Sequence, residues 1–311
     1  MSIVIVAVVM VLVAYGLSYW AHRAQADRSA IVGLYLALGF PALFVAAVGL
    51  AISTVGTDQR TGIPIMLTGL GFALPLFKPF RRLLARVTPL DPDSPIDTAG
   101  LSVLLGAIAI VIMLAVLTGS AEPPTDLPSV SYLELIVQNL AFVGIAYAAV
   151  GGGFARSWRA ATERLGLVPL RWTGLGAALV GLVGCFVVLF ATSALAQALQ
   201  PNLNQQLDKV VNDITGSLQN PFGALLIGVS AGIGEETLFR GALQPRYGIV
   251  LVSILFALVH AEQYGLNVAI LGLFVISVIF GLLRNRYGTT ASIVTHALYN
   301  AIQVLLLLAP R

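Results

Sequence analysis

Charge is scarce in this 311-residue sequence, where Asp, Glu, Lys and Arg together supply 10% of the residues, against about 25% in an ordinary soluble domain. A chain this poor in charge cannot cover a water-facing surface. Its residues are 58% hydrophobic and its mean hydropathy is +0.92, which places it in a membrane. The formal net charge is only +3. The basic residues stand singly or in small groups between apolar runs, so there is no continuous basic face and nucleic acid is not expected as a partner. Cysteine is nearly absent: Cys185 is alone, which excludes an internal disulfide and a cysteine metal site. There are three histidines, His22, His260 and His296, and none is followed by Glu. The H-E-x-x-H helix of zinc proteases is therefore missing. The paired intramembrane aspartates of aspartyl proteases are missing too, because the only carboxylates within the cores of the apolar runs are glutamates. His260-Ala261-Glu262 matches H-x-E of the zinc deaminases but lacks their cysteine pair.

What is present is a succession of apolar runs. A spanning helix needs about 20 apolar residues in a row, and ten candidates occur at 2–20, 30–52, 61–80, 99–119, 134–155, 173–199, 222–245, 249–261, 266–283 and 289–309, the eighth being short. The expected fold is all-α, a polytopic integral membrane helical bundle of about ten transmembrane helices. With the N-terminus outside, the alternate loops assigned to the cytoplasm hold Arg23, Arg28, Lys78, Arg81, Arg82, Arg86, Arg156, Arg159, Arg164, Arg171, Arg240, Arg246, Arg284 and Arg286. Only Arg60, Lys209 and Arg311 remain outside, so the positive-inside rule supports both parity and orientation in a cell membrane. Ala24-Gln25-Ala26 has the small-x-small look of a signal cleavage site, but no Lys or Arg precedes the first run and Arg23 follows it, the charge order of an N-out anchor.

The connecting segments divide the chain. Residues 77–97, with Pro79, Pro89, Pro92 and Pro95, read as a linker. It falls within an N-terminal four-helix membrane region of unknown role, residues 1–130. The remainder, 134–311, is the candidate functional core. Within it, 156–172 carries four arginines among Leu165, Leu167, Val168 and Leu170, as a segment on the inner membrane surface would. Residues 203–218 place Leu203, Leu207, Val210, Val211, Ile214 and Leu218 at helical spacing and predict an amphipathic helix on the outer surface.

Ionisable groups inside spanning helices cost at least about 2.5–3.5 kcal/mol each and mark function by default. They gather in one part of this chain: Glu235, Glu236 and Arg240 in the seventh run, His260 in the eighth, and His296 with Asn300 in the tenth. Glu236 and Arg240 are four residues apart with the acid first, the favourable order for mutual neutralisation. Glu235 lies about 100° round the helix and is left without an in-helix cation, which makes it a candidate general base for water. His296 and Asn300 share one helix face and suit a developing oxyanion. Helical rise puts Glu235, His260, His296 and Asn300 within about one turn of depth, in the cytoplasmic half. The competing reading of these groups is interhelical hydrogen-bond glue, which gives the unpaired Glu235 nothing to do. Phe239, Phe256 and Tyr299 are expected to pack. Gly228-Val229-Ser230-Ala231-Gly232 fits the G-x-S-x-G of a nucleophile elbow, but it lies mid-helix, where small residues serve close packing.

Three motifs follow in order: Glu235-Glu236-Thr237-Leu238-Phe239-Arg240 (E-E-x-x-x-R), Phe256-Ala257-Leu258-Val259-His260 (F-x-x-x-H) and His296-Ala297-Leu298-Tyr299-Asn300 (H-x-x-x-N). Together they resemble the CPBP intramembrane protease family, the CAAX-processing and bacteriocin-processing enzymes also called Abi proteins. Gly241-Ala242-Leu243-Gln244 is similar to the usual continuation of the first motif, Gly281 to Thr290 to the turn before the third, and Arg164-Leu165-Gly166-Leu167 to the surface element preceding the family's core. The resemblance covers about 156–308, with the motifs in 221–308. It implies a helical membrane peptidase acting on membrane-bound peptides or proteins, with Glu235 and His260 activating water and His296 and Asn300 as oxyanion donors. Glu236 and Arg240 become supports. No cofactor is expected; the alternative is a zinc ion on Glu235, His260 and His296 with Glu236 as base. A non-catalytic immunity or scaffold protein of the same fold is the other alternative. The expected access is from the cytoplasmic side, the nearer leaflet.

Overall fold

The computed structural model describes residues 3–56, 58–119, 122–124 and 127–308. Arg311, one of the three basic residues assigned to the outer side, lies outside the described residues. Among those described there are fourteen α-helices and no strand. The N-terminal region contains α1 (Ile3–Arg23), α2 (Arg28–Thr54), α3 (Gln59–Ala73), α4 (Lys78–Leu84) and α5 (Pro95–Thr118). The remainder contains α6 (Tyr132–Ala149), α7 (Trp158–Arg164), α8 (Trp172–Leu199), α9 (Leu203–Thr215) and α10 (Pro221–Glu236). A π-helical stretch, Thr237–Leu243, leads from α10 into α11 (Gln244–Val259), α12 (Ala261–Tyr264), α13 (Val268–Tyr287) and α14 (Thr289–Leu307).

Local chemistry explains the boundaries. Asp27 caps α2, accepting from the Ser29 and Ala30 amides, and the hydrogen bond from the Ser29 hydroxyl above all holds its carboxyl below the usual carboxylate range. Ser131 and Glu134 form a reciprocal capping box at the start of α6. The third apolar run does not continue straight: its two helical parts meet at 83°. The buried Arg81 holds the bend by donating to the Pro75 and Pro92 carbonyls at 2.6 and 2.8 Å. At Gly248 the backbone takes φ 80° and ψ 167°, a left-handed conformation that favours glycine. The Pro221–Tyr264 stretch of 44 residues thereby turns back on itself instead of forming one rod.

Eight of the helical stretches are long and apolar enough to cross a bilayer, or nine if the bent pair is one span. This is fewer than the ten expected, because the run at 249–261 forms only the second arm of the Gly248 hairpin. The chain is a multi-pass helical membrane bundle. Large apolar side chains such as Phe40, Phe44, Phe190 and Phe222 face outward, as lipid-facing positions do. A continuous core of Leu101, Leu104, Cys185, Phe239, Tyr247, Phe256, Phe280 and Tyr299 ties α5 to the later helices.

Two latches fix the turn after α10. Asp97, in the first turn of α5, pairs with Arg246 and also accepts the Asp91 amide at 3.0 Å, while the Tyr247 hydroxyl donates to the Asp97 carbonyl at 3.2 Å. On the other flank, Thr289 at the start of α14 donates to Gly166 and Leu165 carbonyls at 2.8 and 2.6 Å, and Arg164 donates to the Gly241 carbonyl at 3.3 Å. The segment expected to lie on the membrane surface is thus partly packed into the bundle, with Leu165 fully buried.

Candidate active site

Small residues set the distance between the two helices that carry most of the site. Gly228 and Gly232 face α14: a Cβ on Gly228 would collide with the Ala297 carbonyl, and one on Gly232 would sit 2.8 Å from the Ile293 carbonyl oxygen. The G-x-S-x-G match is therefore a packing seam at its glycines, while Ser230 lines the neighbouring cavity.

That close approach brings Glu236 of α10 against His296 of α14. Glu236 is wholly buried, with Oε2 3.1 Å from Arg240 Nε and Oε1 3.0 Å from His296 Nδ1. Arg240, also wholly buried, donates to Ser277 Oγ at 3.0 Å and lies over the rings of Phe256 and Phe280, with centroids 5.0 and 5.8 Å away. A carboxylate can only accept, so His296 Nδ1 carries the proton towards Glu236; Nε2 of the neutral ring then accepts from Asn300 Nδ2 at 3.2 Å. Phe280 stacks on the His296 ring with centroids 4.7 Å apart, fixing its plane.

Glu235 points elsewhere. Its Oε2 is 3.9 Å from His260 Nε2, too far for a direct hydrogen bond, and that oxygen is buried with no hydrogen-bond partner among the described residues. His260 Nδ1 is 2.7 Å from the Phe256 carbonyl. A carbonyl accepts, so Nδ1 donates and the lone pair of Nε2 faces Glu235. Tyr264, one turn on, lies parallel to the His260 ring at 2° with centroids 6.3 Å apart.

Glu235, His260, His296 and Asn300 all line one cavity of about 740 Å³. The structure thus brings all four together, with Glu236 and Arg240 behind them. Three links were not legible beforehand: Glu236 serves His296 as well as Arg240, Ser277 shares Arg240, and Tyr264 flanks His260. The last lies four residues past the histidine, a helical spacing that carried a weak signal; the others join residues far apart in the chain.

The cavity extends away from the expected side of access. It runs from the site to α9, bounded by Leu207, Asp208, Val211 and Ile214 of that helix and by Leu306 and Leu307 of α14. These belong to the end opposite the arginine-rich loops. Towards the arginines lie Arg240, Gln244 and Tyr247, all buried, with Gln244 Nε2 bonded to the Gly281 carbonyl and Asn285 Oδ1 at 2.9 and 2.8 Å. Glu235 itself is nearer the arginine-rich end along its helix. The amphipathic helix expected at 203–218 is present as α9 and forms a wall of the cavity.

The donors suggested for zinc are not gathered as a metal site. Both ring nitrogens of His296 are engaged, by Glu236 and by Asn300, and among the described residues no group of three His, Cys, Asp or Glu side chains is placed to hold an ion.

No curated protein and no solved structure matches the chain. Residues 217–302, under half of the chain, match the family model described as Type II CAAX prenyl endopeptidase Rce1-like. That segment contains Glu235, Glu236, Arg240, His260, His296 and Asn300, so the part of this multi-pass membrane chain that carries the site residues is similar to the CAAX endopeptidases, a family of peptidases.

Proposed function

We propose that the protein is an intramembrane endopeptidase that cuts membrane-associated peptides or proteins with a water held by Glu235 and His260. The observation that carries this reading is the unpartnered Glu235 Oε2, 3.9 Å from the lone pair of His260 Nε2 at the head of a large cavity. A water about 2.8 Å from each atom donates one hydrogen to the carboxylate and one to the imidazole, leaving its own lone pairs for the scissile carbonyl. As the oxygen–carbon bond forms, Glu235 takes a proton; on collapse the carbon–nitrogen bond breaks and that proton leaves with the amine. Asn300 has a second amide hydrogen free of His296 and supplies it to the oxyanion. His296, held by Glu236, orients Asn300. No cofactor takes part, since the binding capacity of His296 is used within this chain.

The arginine-rich end is assigned to the cytoplasm and the N-terminus to the outside of a cell membrane by the charge asymmetry. The cavity mouth at α9 then faces the outer half of the bilayer, and substrates enter from there to reach Glu235 and His260. The test compares peptide termini in membrane proteomes of cells carrying the wild type or Glu235→Gln. Termini present only with the wild type support the reading; identical sets overturn it.

A further inference from the structure

A second cavity, of about 450 Å³, lies at the arginine-rich end and shares no lining residue with the cavity that holds Glu235. It is formed where several helix ends meet: His22 and Gln25 at the end of α1, Asp91 and the first turn of α5, Ala155 and Arg156 before α7, and Arg246 in the first turn of α11. Nothing in the peptidase reading uses it.

Its lining carries both signs, with Asp91 and Asp97 beside the arginines, and the surroundings add more arginine than carboxylate. Arg156 and Arg246 line it directly. Arg164, behind them, feels the positive charges of Arg246, Arg284 and Arg156 and only one opposing carboxylate, Asp97; burial first, and then these like charges, push its guanidinium down to about 10. Asp97 cannot balance the group further, because its two oxygens are taken by Arg246 and by the Asp91 amide. Asp91 stands exposed on the rim, its carboxylate accepting the Asp93 amide. Arg246 Nε is buried and has no hydrogen-bond partner among the described residues, and Arg156 is fixed by a bond to the Val150 carbonyl. The first turn of α5 adds the positive end of a 24-residue helix to the same wall.

We infer that this cavity binds a phosphate-bearing anion, through the guanidiniums of Arg156 and Arg246 at the start of α5. Guanidinium forks match phosphate oxygens in geometry and charge. An anion here relieves the crowding of four arginines and ties together the turns that join the N-terminal helices to the cavity-forming ones. Two sources offer this chemistry, an anionic phospholipid headgroup or free phosphate.

The test uses the full-length protein in an uncharged detergent and follows thermal unfolding against inorganic phosphate or dihexanoyl phosphatidylglycerol. Sodium chloride at matched ionic strength and dihexanoyl phosphatidylcholine are the controls. A saturable rise in Tm with phosphatidylglycerol alone identifies a headgroup site; a rise with phosphate identifies a free-anion site. Arg156→Gln weakens the apparent affinity at least about tenfold, whereas Arg156→Lys keeps a measurable part of it. Gln25→Glu, exposed on the rim, places a negative charge there without touching an arginine and weakens binding in the same sense, so the test survives if Arg156→Gln folds poorly. No saturable shift, an equal shift with either control, or undiminished binding in the folded variants overturns the inference. Peptidase activity is not the readout, so this outcome is separate from that of the catalytic assignment.

Discussion

Glu235 and Glu236 are neighbours of identical chemistry, and the structure assigns their loss opposite consequences. Among the described residues Glu236 is the only carboxylate within 4 Å of Arg240, and both side chains are completely shielded. Glu236→Gln leaves a guanidinium charge buried between Phe256 and Phe280 with no counter-ion. Breaking a buried pair by removing one partner costs about 3–5 kcal/mol, enough to lower Tm by roughly 6–20 °C at about 2–4 °C per kcal/mol. The same change also releases His296 and, through it, Asn300. Glu235→Gln removes a carboxylate that makes no ion pair with Arg240, so its effect on stability should stay within about 1 kcal/mol, while turnover falls by about 10²–10⁴ if Glu235 is the base. Thermal unfolding in detergent and cleavage of an identified substrate, measured on both variants, separate the two. The reasoning is refuted if Glu235→Gln is as destabilised as Glu236→Gln, or if Glu235→Gln retains wild-type turnover.

Gly232→Leu forces a side chain against the Ile293 carbonyl; overpacking of this kind costs about 1–3 kcal/mol, and the parting of α10 from α14 also breaks the Glu236–His296 contact, so gel filtration and cleavage should both report loss. A Gln205→Cys variant, exposed on α9, should be labelled by an impermeant thiol reagent on intact cells and Arg286→Cys should be protected, with the buried Cys185 giving no background; the reverse pattern moves the cavity mouth to the cytoplasmic side. Purified active enzyme should keep its turnover after strong chelation and contain far less than one equivalent of zinc; inactivation that zinc reverses would restore the zinc reading.

Much of this molecule is written locally. Hydropathy, capping residues and breakers act over a few turns, so the runs at 173–199 and 289–309 emerge as Trp172–Leu199 and Thr289–Leu307 almost residue for residue, and the amphipathic pattern after Pro201 becomes α9. Rarity did the rest for the site: in a chain with so few ionisable groups, those inside apolar runs stand out, and helical rise was enough to place Glu235, His260, His296 and Asn300 at one level. What local pattern could not specify was which neighbours those groups would meet. Glu236 joins His296 because Gly228 and Gly232 let two distant helices touch, and the left-handed turn at Gly248 decides that the eighth run folds back instead of crossing alone. The direction of the cavity was decided the same way. Depth along a helix put Glu235 closer to the arginine-rich end, but the cavity that holds it is walled by α6, α8 and α9 and extends towards the other. Which way it extends depends on the summed volumes of side chains from several separate helices, a quantity that no single stretch of sequence contains.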